Sequence, residues 1–277
     1  MSEFKPTYFP SRRPAQVVAC EELTDGVVRL TLRDAFIAAH ARPAQFVNLY
    51  TSNAQRLSPR PFGVCEVNGD EFTLIFAVIG KGTGEFRGLK PGQTVDVLGP
   101  LGRGYDLREP ADYVLVGGGL GVPPLVRAAQ ELHGRDDCHA TVLFGYRNVH
   151  FADRYAAKYS DDVRSIDESE GNVITILDRW AEERGIAGGA DGHLLPCAEG
   201  EHPVRILTCG PLGMMKAVSA WGRDHGVAVY ASLEARMGCG FGTCVVCTVH
   251  TTRGILKTCV DGPVFNTAEL EGWEAAR

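Results

Sequence analysis

The sequence predicts a mixed β and α/β protein: an antiparallel Greek-key β-barrel, then an α/β domain with a parallel sheet, then a small cysteine-rich domain. Short β-type runs between turn signals fill residues 15–108, and strands alternate with helices from about residue 110. Four cysteines cluster between Cys239 and Cys259. A chain of 277 residues is long enough for two domains and a small appendage.

The composition is that of an ordinary globular protein, with 44% hydrophobic and 22% charged residues. A net charge of −6 disfavours nucleic acid or an anionic membrane as the main partner. No apolar run approaches the roughly 20 residues of a membrane span, and the first 14 residues contain no apolar signal-peptide core. Nine cysteines, an odd number in a long chain, indicate a reducing cytoplasm rather than a disulfide framework.

The N-terminal region is predicted to be a small antiparallel barrel that follows an extended arm, residues 1–14. Turn signals such as Asp25-Gly26 and Pro91-Gly92 separate six β-type runs, a spacing typical of small barrels. The predicted strands are Gln16–Cys20, Val27–Leu32, Gln45–Tyr50, Phe62–Val67, Phe72–Ile79 and Thr94–Leu98.

Two motifs in the barrel region suit a phosphate-containing ligand. Arg60-Pro61-Phe62-Gly63 begins a strand, where the arginine can pair with a pyrophosphate and the following backbone can lie against a planar ring. Gly80-Lys81-Gly82-Thr83-Gly84 precedes a predicted helix, Glu85–Leu89, and its amides and the Thr83 hydroxyl suit a phosphate. Either motif alone is weak, because a glycine-rich turn is more often only a turn. Gly99-Pro100-Leu101-Gly102 closes the segment.

The second region is predicted to be a parallel sheet, because strands alternate with helices. The predicted strands are Asp112–Val116, Thr141–Phe144, Asp162–Ile166 and Val204–Thr208, with Val227–Ser232 leading into the cysteine segment. Gly117-Gly118-Gly119-Leu120-Gly121 lies between the first strand and a helix, Pro123–Leu132, whose N-terminus suits a dinucleotide pyrophosphate. Cys209-Gly210-Pro211 follows a later strand at the corresponding position.

Two acidic or polar stretches complete this region. Asp167, Glu168 and Glu170 follow the third strand and would repel a 2′-phosphate, which favours NAD over NADP; a solvated acidic loop is the alternative. The glycine-rich stretch Gly185–His202 is predicted to be a long surface excursion.

The cysteine segment has the spacing of a plant-type [2Fe–2S] site. Cys239, Cys244 and Cys247 form C-x4-C-x2-C, and Cys259 follows after eleven residues. Glycines within the loop allow its backbone to wrap a cluster closely. A structural zinc site is the alternative, but zinc sites favour paired C-x2-C knuckles, and only one pair here has that spacing.

Taken together, these motifs resemble those of the ferredoxin–NADP reductase superfamily, and most closely the electron transfer subunits of B-type, NAD-dependent dihydroorotate dehydrogenases. The resemblance covers nearly the whole chain and is most specific over the cysteine segment, which ends in Asp261-Gly262-Pro263-Val264-Phe265. One departure concerns Gly63, which stands where the family has a serine, so that a hydroxyl contact to the flavin ring is lost or replaced.

The resemblance implies three cofactors and the residues that bind them. It implies FAD on residues 1–108, NAD on residues 109–228 and a [2Fe–2S] cluster on residues 229–277. The implied FAD residues are Arg60, Pro61, Phe62, Gly63, Ile75, Phe76, Ala77, Gly82 and Thr83; the implied NAD residues are Gly118, Gly119, Gly121, Cys209, Gly210 and Pro211; the implied cluster ligands are Cys239, Cys244, Cys247 and Cys259.

The resemblance also implies the function. The chain is expected to pass electrons between NAD(H), FAD and the cluster, to or from a catalytic flavoprotein subunit that acts on dihydroorotate in pyrimidine biosynthesis, within a cytoplasmic heterotetramer. This chain would then have no catalytic residue for dihydroorotate itself. The alternatives are a subunit that serves another partner, of the ferredoxin:NADP reductase or sulfide dehydrogenase type, a stand-alone oxygenase reductase, and a zinc-stabilised binding module.

Overall fold

The computed structural model describes residues 10–53, 55–186 and 202–273. Its first part is a closed barrel of six antiparallel strands. These are β1 (Arg12–Thr24), β2 (Val27–Arg33), β3 (Phe46–Tyr50), β4 (Arg60–Asn68), β5 (Glu71–Ala77) and β6 (Thr94–Leu101). Their order around the barrel is β1-β2-β5-β4-β3-β6, so the first and last strands pair and no edge is left open.

The barrel strands alternate between core and surface, as their sequences predict. In β2, Arg29 is half-buried and Arg33 is exposed, whereas Val28, Leu30 and Leu32 are fully buried in the core. They pack against apolar side chains of neighbouring strands, such as Phe72 and Leu74 of β5. Two short helices accompany the barrel, α1 (Ala35–His40) and α2 (Lys81–Arg87).

The second part is a six-stranded sheet between layers of helices. The remaining strands are β7 (Ala111–Gly118), β8 (Cys138–Tyr146), β9 (Asp162–Asp167), β10 (Val204–Cys209), β11 (Ala228–Ser232), β12 (Thr248–Thr251), β13 (Gly254–Lys257) and β14 (Val264–Asn266). The sheet order is β14-β11-β10-β7-β8-β9; all neighbours pair in parallel except β14, which is antiparallel to β11. Strands β12 and β13 form a separate hairpin.

Four helices cover this sheet, so that its central strands are apolar on both sides. They are α3 (Val122–Leu132), α4 (Asp153–Ala156), α5 (Val173–Glu183) and α6 (Leu212–Asp224). On one side Leu125 and Val126 of α3 lie in the core with Leu115 of β7. On the other side, Trp180 of α5 and Val218 of α6 pack in a second core. None of the helices in the described ranges is long and apolar enough to span a membrane.

The barrel and the sheet are joined mainly through β4 and α3. The Gln130 side chain accepts a hydrogen bond from the Val67 amide (3.0 Å) and donates one to the Val67 carbonyl (2.7 Å). Lys158 forms an ion pair with the buried Glu66 carboxylate at 2.7 Å. These contacts join the ends of α3 and β4; at their starts Gly63 faces the Pro124 ring, where two of the predicted motifs meet.

The predicted fold class is confirmed, with differences at the edges of elements. Strand β1 begins at Arg12, inside the predicted arm, because residues 12–16 pair with β6; residues 1–9 lie outside the described part. The helix predicted over Glu85–Leu89 is Lys81–Arg87, so the glycine motif forms its first turn instead of a preceding loop. Helix α1 was not predicted. Of the excursion predicted over Gly185–His202, residues 187–201 lie outside the described residues.

Strands β11 and β14 belong to the six-stranded sheet. Apart from the first residue of β11, however, both lie in residues 229–277, the range predicted for the cysteine-rich domain. The cysteine loop and the β12–β13 hairpin are inserted between these two strands. This connection anchors the cysteine segment to the sheet at both of its ends.

Candidate functional site

The four clustered cysteines form two pairs. The Cys239 and Cys244 sulfurs are 3.3 Å apart, and the Cys247 and Cys259 sulfurs are 3.2 Å apart. All four are free thiols rather than disulfides. Two sulfurs per iron is the ligand set of a [2Fe–2S] cluster, so the donor set and its arrangement fit this group.

Backbone amides surround the sulfur of Cys239. Burial alone would raise the pKa of this thiol, but the backbone amides near the sulfur, that of Cys244 first, and the Cys244 thiol lower the pKa to about 6. The Cys244 nitrogen lies 3.4 Å from it. In the other pair, burial and the neighbouring Cys247 raise the pKa of Cys259 to about 12. The Cys239 sulfur therefore lies in an environment that stabilises negative charge.

This amide arrangement requires glycine at two positions in the loop. Gly240 and Gly242 have φ values of +79° and +91°, in the region that residues with a side chain rarely adopt. A Cβ at Gly242 would lie 2.6 Å from Cγ2 of Val260, and one at Gly240 would collide with the Asn48 side chain. The loop is thus held closely between the barrel and the Cys259 turn.

The two predicted flavin motifs of the barrel lie side by side. Arg60 begins β4, and its guanidinium lies over Gly82 of α2; a Cβ at Gly82 would be 2.8 Å from the guanidinium carbon. Arginine and the first turn of a helix are both suited to phosphate. A cavity of about 630 Å³ adjoins this helix and is lined in part by Gly84 and Tyr50. Arg60 and Gly82 do not line this cavity; it is the arginine cation beside the first turn of α2 that fits an FAD pyrophosphate.

Thr83 has a different structural role from the one expected. Its hydroxyl accepts hydrogen bonds from the Ile79 and Gly80 amides at 3.0 and 3.1 Å and donates one to the Gly80 carbonyl. The hydroxyl therefore caps the start of α2, and the residue is buried. Its side chain therefore stabilises the first turn of α2 from within.

The remaining residues implied for FAD lie near the same end of the barrel. Strands β4 and β5 are antiparallel neighbours, so Pro61 and Phe62 near the start of β4 lie near Phe76 and Ala77 at the end of β5. The Phe62 and Phe76 rings are 4.7 Å apart. Phe76 and Ile75 are buried, whereas Ala77 is partly exposed.

The position of Gly63 has a steric explanation. A Cβ at this residue would lie 2.8 Å from Cγ of Pro124, in the first turn of α3. The proline ring has little freedom to move away. The glycine, where the family has a serine, therefore lets the barrel approach the helix that follows the Gly117–Gly121 motif.

The two motifs predicted to bind the nicotinamide cofactor are in contact. Cys209 pairs with Gly117 across the parallel strands β10 and β7, so both loops leave the same edge of the sheet. A Cβ at Gly210 would lie 2.8 Å from the Gly118 carbonyl, and one at Gly121 would collide with the backbone of Cys209. A Cβ at Gly118 would meet the Met214 sulfur at 2.5 Å and the Pro211 ring at 3.1 Å. Gly119 has a φ of +51° and open space around it.

This edge is the carboxyl end of the strands, where ligands bind in open α/β sheets. The acidic residues after β9 lie at the same edge. Asp167 accepts hydrogen bonds from the Ser169 amide and hydroxyl, which lower the pKa of its carboxyl and keep it ionised. A fixed negative charge here agrees with the expected preference for NAD.

Sequence reasoning missed two residues at the site. Glu234 follows β11, and desolvation raises the pKa of its carboxyl. Its place after a parallel strand, beside Cys209, was a signal that the sequence offered. Asn48 of β3 is fully buried and donates to the Cys239 carbonyl at 2.9 Å. Nothing in the sequence links Asn48 to Cys239, which is 191 positions away.

Comparisons with known proteins agree with this geometry. Residues 234–271 match the family model of the iron–sulfur cluster binding domain of dihydroorotate dehydrogenase B. The electron transfer subunit of dihydroorotate dehydrogenase B (NAD(+)) from Clostridium perfringens is 33% identical over 254 residues, which cover 90% of this chain and 94% of that protein. The chain belongs to the family of these electron transfer subunits.

Other members and solved structures extend the comparison. The corresponding Bacillus cereus subunit is 33% identical over 272 residues, covering 92% of this chain and 96% of the relative. The NADH-dependent reduced ferredoxin–NADP oxidoreductase, studied for flavin-based electron bifurcation, has a TM-score of 0.78 at 25% identity and covers 94% of this chain and 90% of its own. Phthalate dioxygenase reductase, at 15% identity, a TM-score of 0.57 and 87% coverage of both chains, shares the fold.

Membership of this electron transfer subunit family confirms the resemblance drawn from the motifs. It also confirms the predicted function class, an electron-transferring oxidoreductase subunit, and the choice of an iron–sulfur segment over a zinc site.

Proposed function

We propose that this chain carries electrons between NAD(H), FAD and a [2Fe–2S] cluster for a catalytic dihydroorotate dehydrogenase subunit of pyrimidine biosynthesis. The observation that carries the proposal is the pairing of the four cysteine sulfurs at 3.3 and 3.2 Å, in a loop that contacts the barrel through Asn48. When bound, nicotinamide exchanges two electrons as a hydride, a [2Fe–2S] cluster exchanges one, and flavin does both.

Each part of the chain has one task in this proposal. Residues 1–108 hold FAD, with Arg60 and the α2 amides on its pyrophosphate and the end of β5 near its ring. Residues 109–228 hold NAD between the Gly117–Gly121 and Cys209–Pro211 loops. Residues 229–277 hold the cluster on Cys239, Cys244, Cys247 and Cys259, and strand β11 at the start of this segment is shared with the sheet.

The residues themselves bind and orient; none supplies an acid or base for dihydroorotate, which the partner must do. Gly63 and Pro124 hold the flavin barrel and the nicotinamide motif in contact, so the two ligands share one crevice. Glu234 follows β11 at the same edge of the sheet, and desolvation raises the pKa of its carboxyl.

An apolar face surrounds the cluster loop, and we assign it to the catalytic flavoprotein partner. Five apolar side chains are exposed there, with Val245 71% and Phe241 50% exposed. The five residues are Phe241, Val245, Val246, Ile255 and Val260, called here the cluster face. Single-electron exchange requires the partner to approach the cluster closely, and exposed apolar groups of this kind mark interaction surfaces. The assembly is proposed to be a cytoplasmic heterotetramer.

The test is Cys244→Ser in the full chain, prepared anaerobically. Loss of one ligand should abolish cluster assembly, so iron should fall from about two per chain, while FAD stays bound and NADH still reduces it. Cys138→Ser, which removes a partly exposed cysteine outside the cluster loop, should keep both iron and flavin. Zinc in place of iron would contradict the cluster assignment; loss of flavin reduction by NADH with FAD still bound would contradict the order of transfer.

A further inference from the structure

A polar network joins the barrel to the α/β domain where strand β4 and helix α3 end. Gln130 of α3, besides its two hydrogen bonds with the Val67 backbone, donates to the Tyr159 hydroxyl at 3.1 Å. The Tyr159 hydroxyl donates in turn to the buried Glu66 carboxylate at 3.0 Å, and Lys158 donates to the same oxygen at 2.7 Å. These five residues are called here the interface network.

A β-bulge turns Glu66 towards the α/β domain. The pairing of β4 with β5 shifts register between Val64 and Glu66, which leaves Cys65 as an extra residue in β4. Val64 lies in the barrel core, whereas Cys65 packs in the core between β7 and α3. Strict alternation would direct Glu66 back into the barrel, but the bulge keeps it on the outer side, where Lys158 and Tyr159 bind it. The strand therefore presents a carboxylate to the neighbouring domain.

The other ends of β4 and α3 carry the two ligand motifs. There Gly63 of β4 meets the ring of Pro124 in the first turn of α3. Pro124 and Gln130 lie roughly 9 Å apart along the helix, at about 1.5 Å per residue. A strand and a helix that touch at one point can pivot about it, and a second contact fixes the angle between them. The interface network is such a second contact, so it sets how the nicotinamide motif stands relative to the flavin motif.

Side-chain packing does not fill the space beside the network. A cavity of about 340 Å³ adjoins it, lined in part by Thr31 and Thr73 on the barrel side and by Lys158 and Tyr159 on the other. Two parts separated by such a gap have room to shift when the hydrogen bonds between them are lost. Because the Glu66 side chain is only 7% exposed, its charge-assisted bond to Lys158 holds the two parts together better than an exposed ion pair would.

We propose that Glu66 and Tyr159 are positioning residues for the transfer of hydride between nicotinamide and flavin. In this step a C–H bond of the nicotinamide ring breaks and an N–H bond forms on the flavin ring. One proton and two electrons move together, so that NADH is oxidised and the flavin is reduced. The rate depends on the spacing and the angle of the two rings, and a misplacement of about 1 Å can cost about a hundredfold. This inference rests on the proposed function, since it requires both cofactors on this chain.

Tyr159→Phe in the full chain, loaded with FAD and the cluster, tests this role. The change removes the one hydroxyl that links Glu66 to Gln130 and keeps the ring against His133. Single-turnover reduction by NADH, followed by flavin absorbance, gives a limiting rate and a dissociation constant for NADH. We expect the limiting rate to fall about tenfold and the Kd to change less than about twofold, because the nicotinamide motif itself is unaltered.

A second measurement does not depend on turnover. NAD+ that stacks on the flavin ring of the reduced protein gives a long-wavelength absorbance, which reports the overlap of the two rings. We expect this absorbance at saturating NAD+ to be weaker in Tyr159→Phe than in the wild type, with flavin and iron content unchanged. Tyr155→Phe is the matched control. It removes a hydroxyl that accepts a hydrogen bond from Arg154 of the same helix, and it should change neither the rate nor the absorbance.

Two variants of Glu66 separate positioning from folding. Glu66→Gln keeps an oxygen that accepts from Tyr159 and should retain most of the limiting rate. Glu66→Leu removes the acceptor and should reproduce the loss seen in Tyr159→Phe. If Glu66→Leu does not fold, the comparison of Tyr159→Phe with Glu66→Gln still decides between the two roles, since both variants keep side chains of nearly native size.

The outcomes distinguish this inference from the function on which it rests. Wild-type protein that binds FAD but is not reduced by NADH would overturn both. Wild-type protein that NADH reduces, together with a Tyr159→Phe protein of unchanged limiting rate and unchanged absorbance, would overturn the positioning role alone. An equal loss in Tyr155→Phe, or a raised Kd without a change in the limiting rate, would also overturn it.

Discussion

At the residue scale, the barrel motif depends on the contact between Arg60 and Gly82. The guanidinium lies where any side chain at residue 82 would have to go. It is held at its other end by the Ser58 carbonyl, to which it donates a hydrogen bond. Thr83 caps the turn from within. One cation and the first turn of α2 are thus fixed beside each other.

We therefore expect Arg60→Ala to lower flavin occupancy. The change removes the cation next to the α2 turn without disturbing the capped turn itself, and charge-assisted hydrogen bonds to phosphate contribute about 1.5–3 kcal/mol each. Flavin bound per chain, measured by absorbance after purification and again after dialysis, is the readout. Arg87→Ala, which removes an exposed arginine at the far end of the same helix, is the matched control. Equal occupancy in both variants would remove Arg60 from the phosphate role.

At the scale of elements, strand β4 and helix α3 are brought together by the absence of a side chain. Gly63 faces the Pro124 ring in the first turn of α3. Nearer the end of this helix, Gln130 binds the Val67 backbone with two hydrogen bonds. The helix is thereby aligned with the strand. A bulkier residue 63 would have to push α3 away from the barrel, and with it the loop predicted to bind the nicotinamide cofactor.

Gly63→Ala should accordingly destabilise the protein by about 1–3 kcal/mol, the range for overpacking a close contact. Chemical denaturation of the full chain measures this. Gly213→Ala, at a helical glycine with open space around it, should be neutral or slightly stabilising. Pro124→Ala in the Gly63→Ala background should recover part of the loss, because it removes the ring that the new methyl group meets; additive effects in this cycle would refute the contact.

The same elements show what can be read from the sequence. All six barrel strands were predictable, because residues such as Leu30 and Leu32 alternate with polar ones, and the parallel strands stood out as apolar runs. Helix α1 was missed although Asp34 caps it by accepting from the Ile37 amide. It is only six residues long, too short for a periodic pattern.

The candidate site likewise contains some residues that the sequence reveals and others that only the structure reveals. The cysteines and glycine motifs could be found because their spacing along the chain is itself the signal. The contacts of Asn48 and Lys257 could not be predicted. Asn48 binds a carbonyl of a loop that is distant in sequence, and Lys257 contacts the loop through the single backbone carbonyl of Gly242. The reason for glycine at residue 63 also lies in a partner 61 positions later, which only the folded chain reveals.

At the scale of the whole molecule, the three predicted sites follow one another across the fold. The nicotinamide motifs touch β4 through α3, β4 carries Arg60, and the neighbouring strand β3 carries Asn48, which contacts the cluster loop. The cluster face exposes five apolar side chains to solvent. In the proposed function, electrons that enter at the sheet leave at the cluster face, where the partner receives or supplies them.

The cluster face can be tested against its assigned partner. We expect the wild-type chain, recovered from its native cell, to bring with it a flavoprotein of the dihydroorotate dehydrogenase class, in a complex with the mass of a heterotetramer. Val245→Asp should weaken this complex at least about tenfold, since a carboxylate would have to be buried without a partner at the interface. Val149→Asp, the same change at an exposed valine of the α/β domain, should not.

Both iron content and flavin content should be unchanged in the two variants. Such a result would show that Val245→Asp weakens the complex through the protein surface and not through loss of a cofactor. Co-purification with a ferredoxin:NADP reductase or sulfide dehydrogenase component would reassign the partner while preserving the relay. A chain that elutes alone at every concentration tested would instead favour a stand-alone reductase. A complex that Val245→Asp and Val149→Asp weaken equally would place the interface elsewhere, and the cluster would then have to reach its partner by a route other than the one its apolar surroundings indicate.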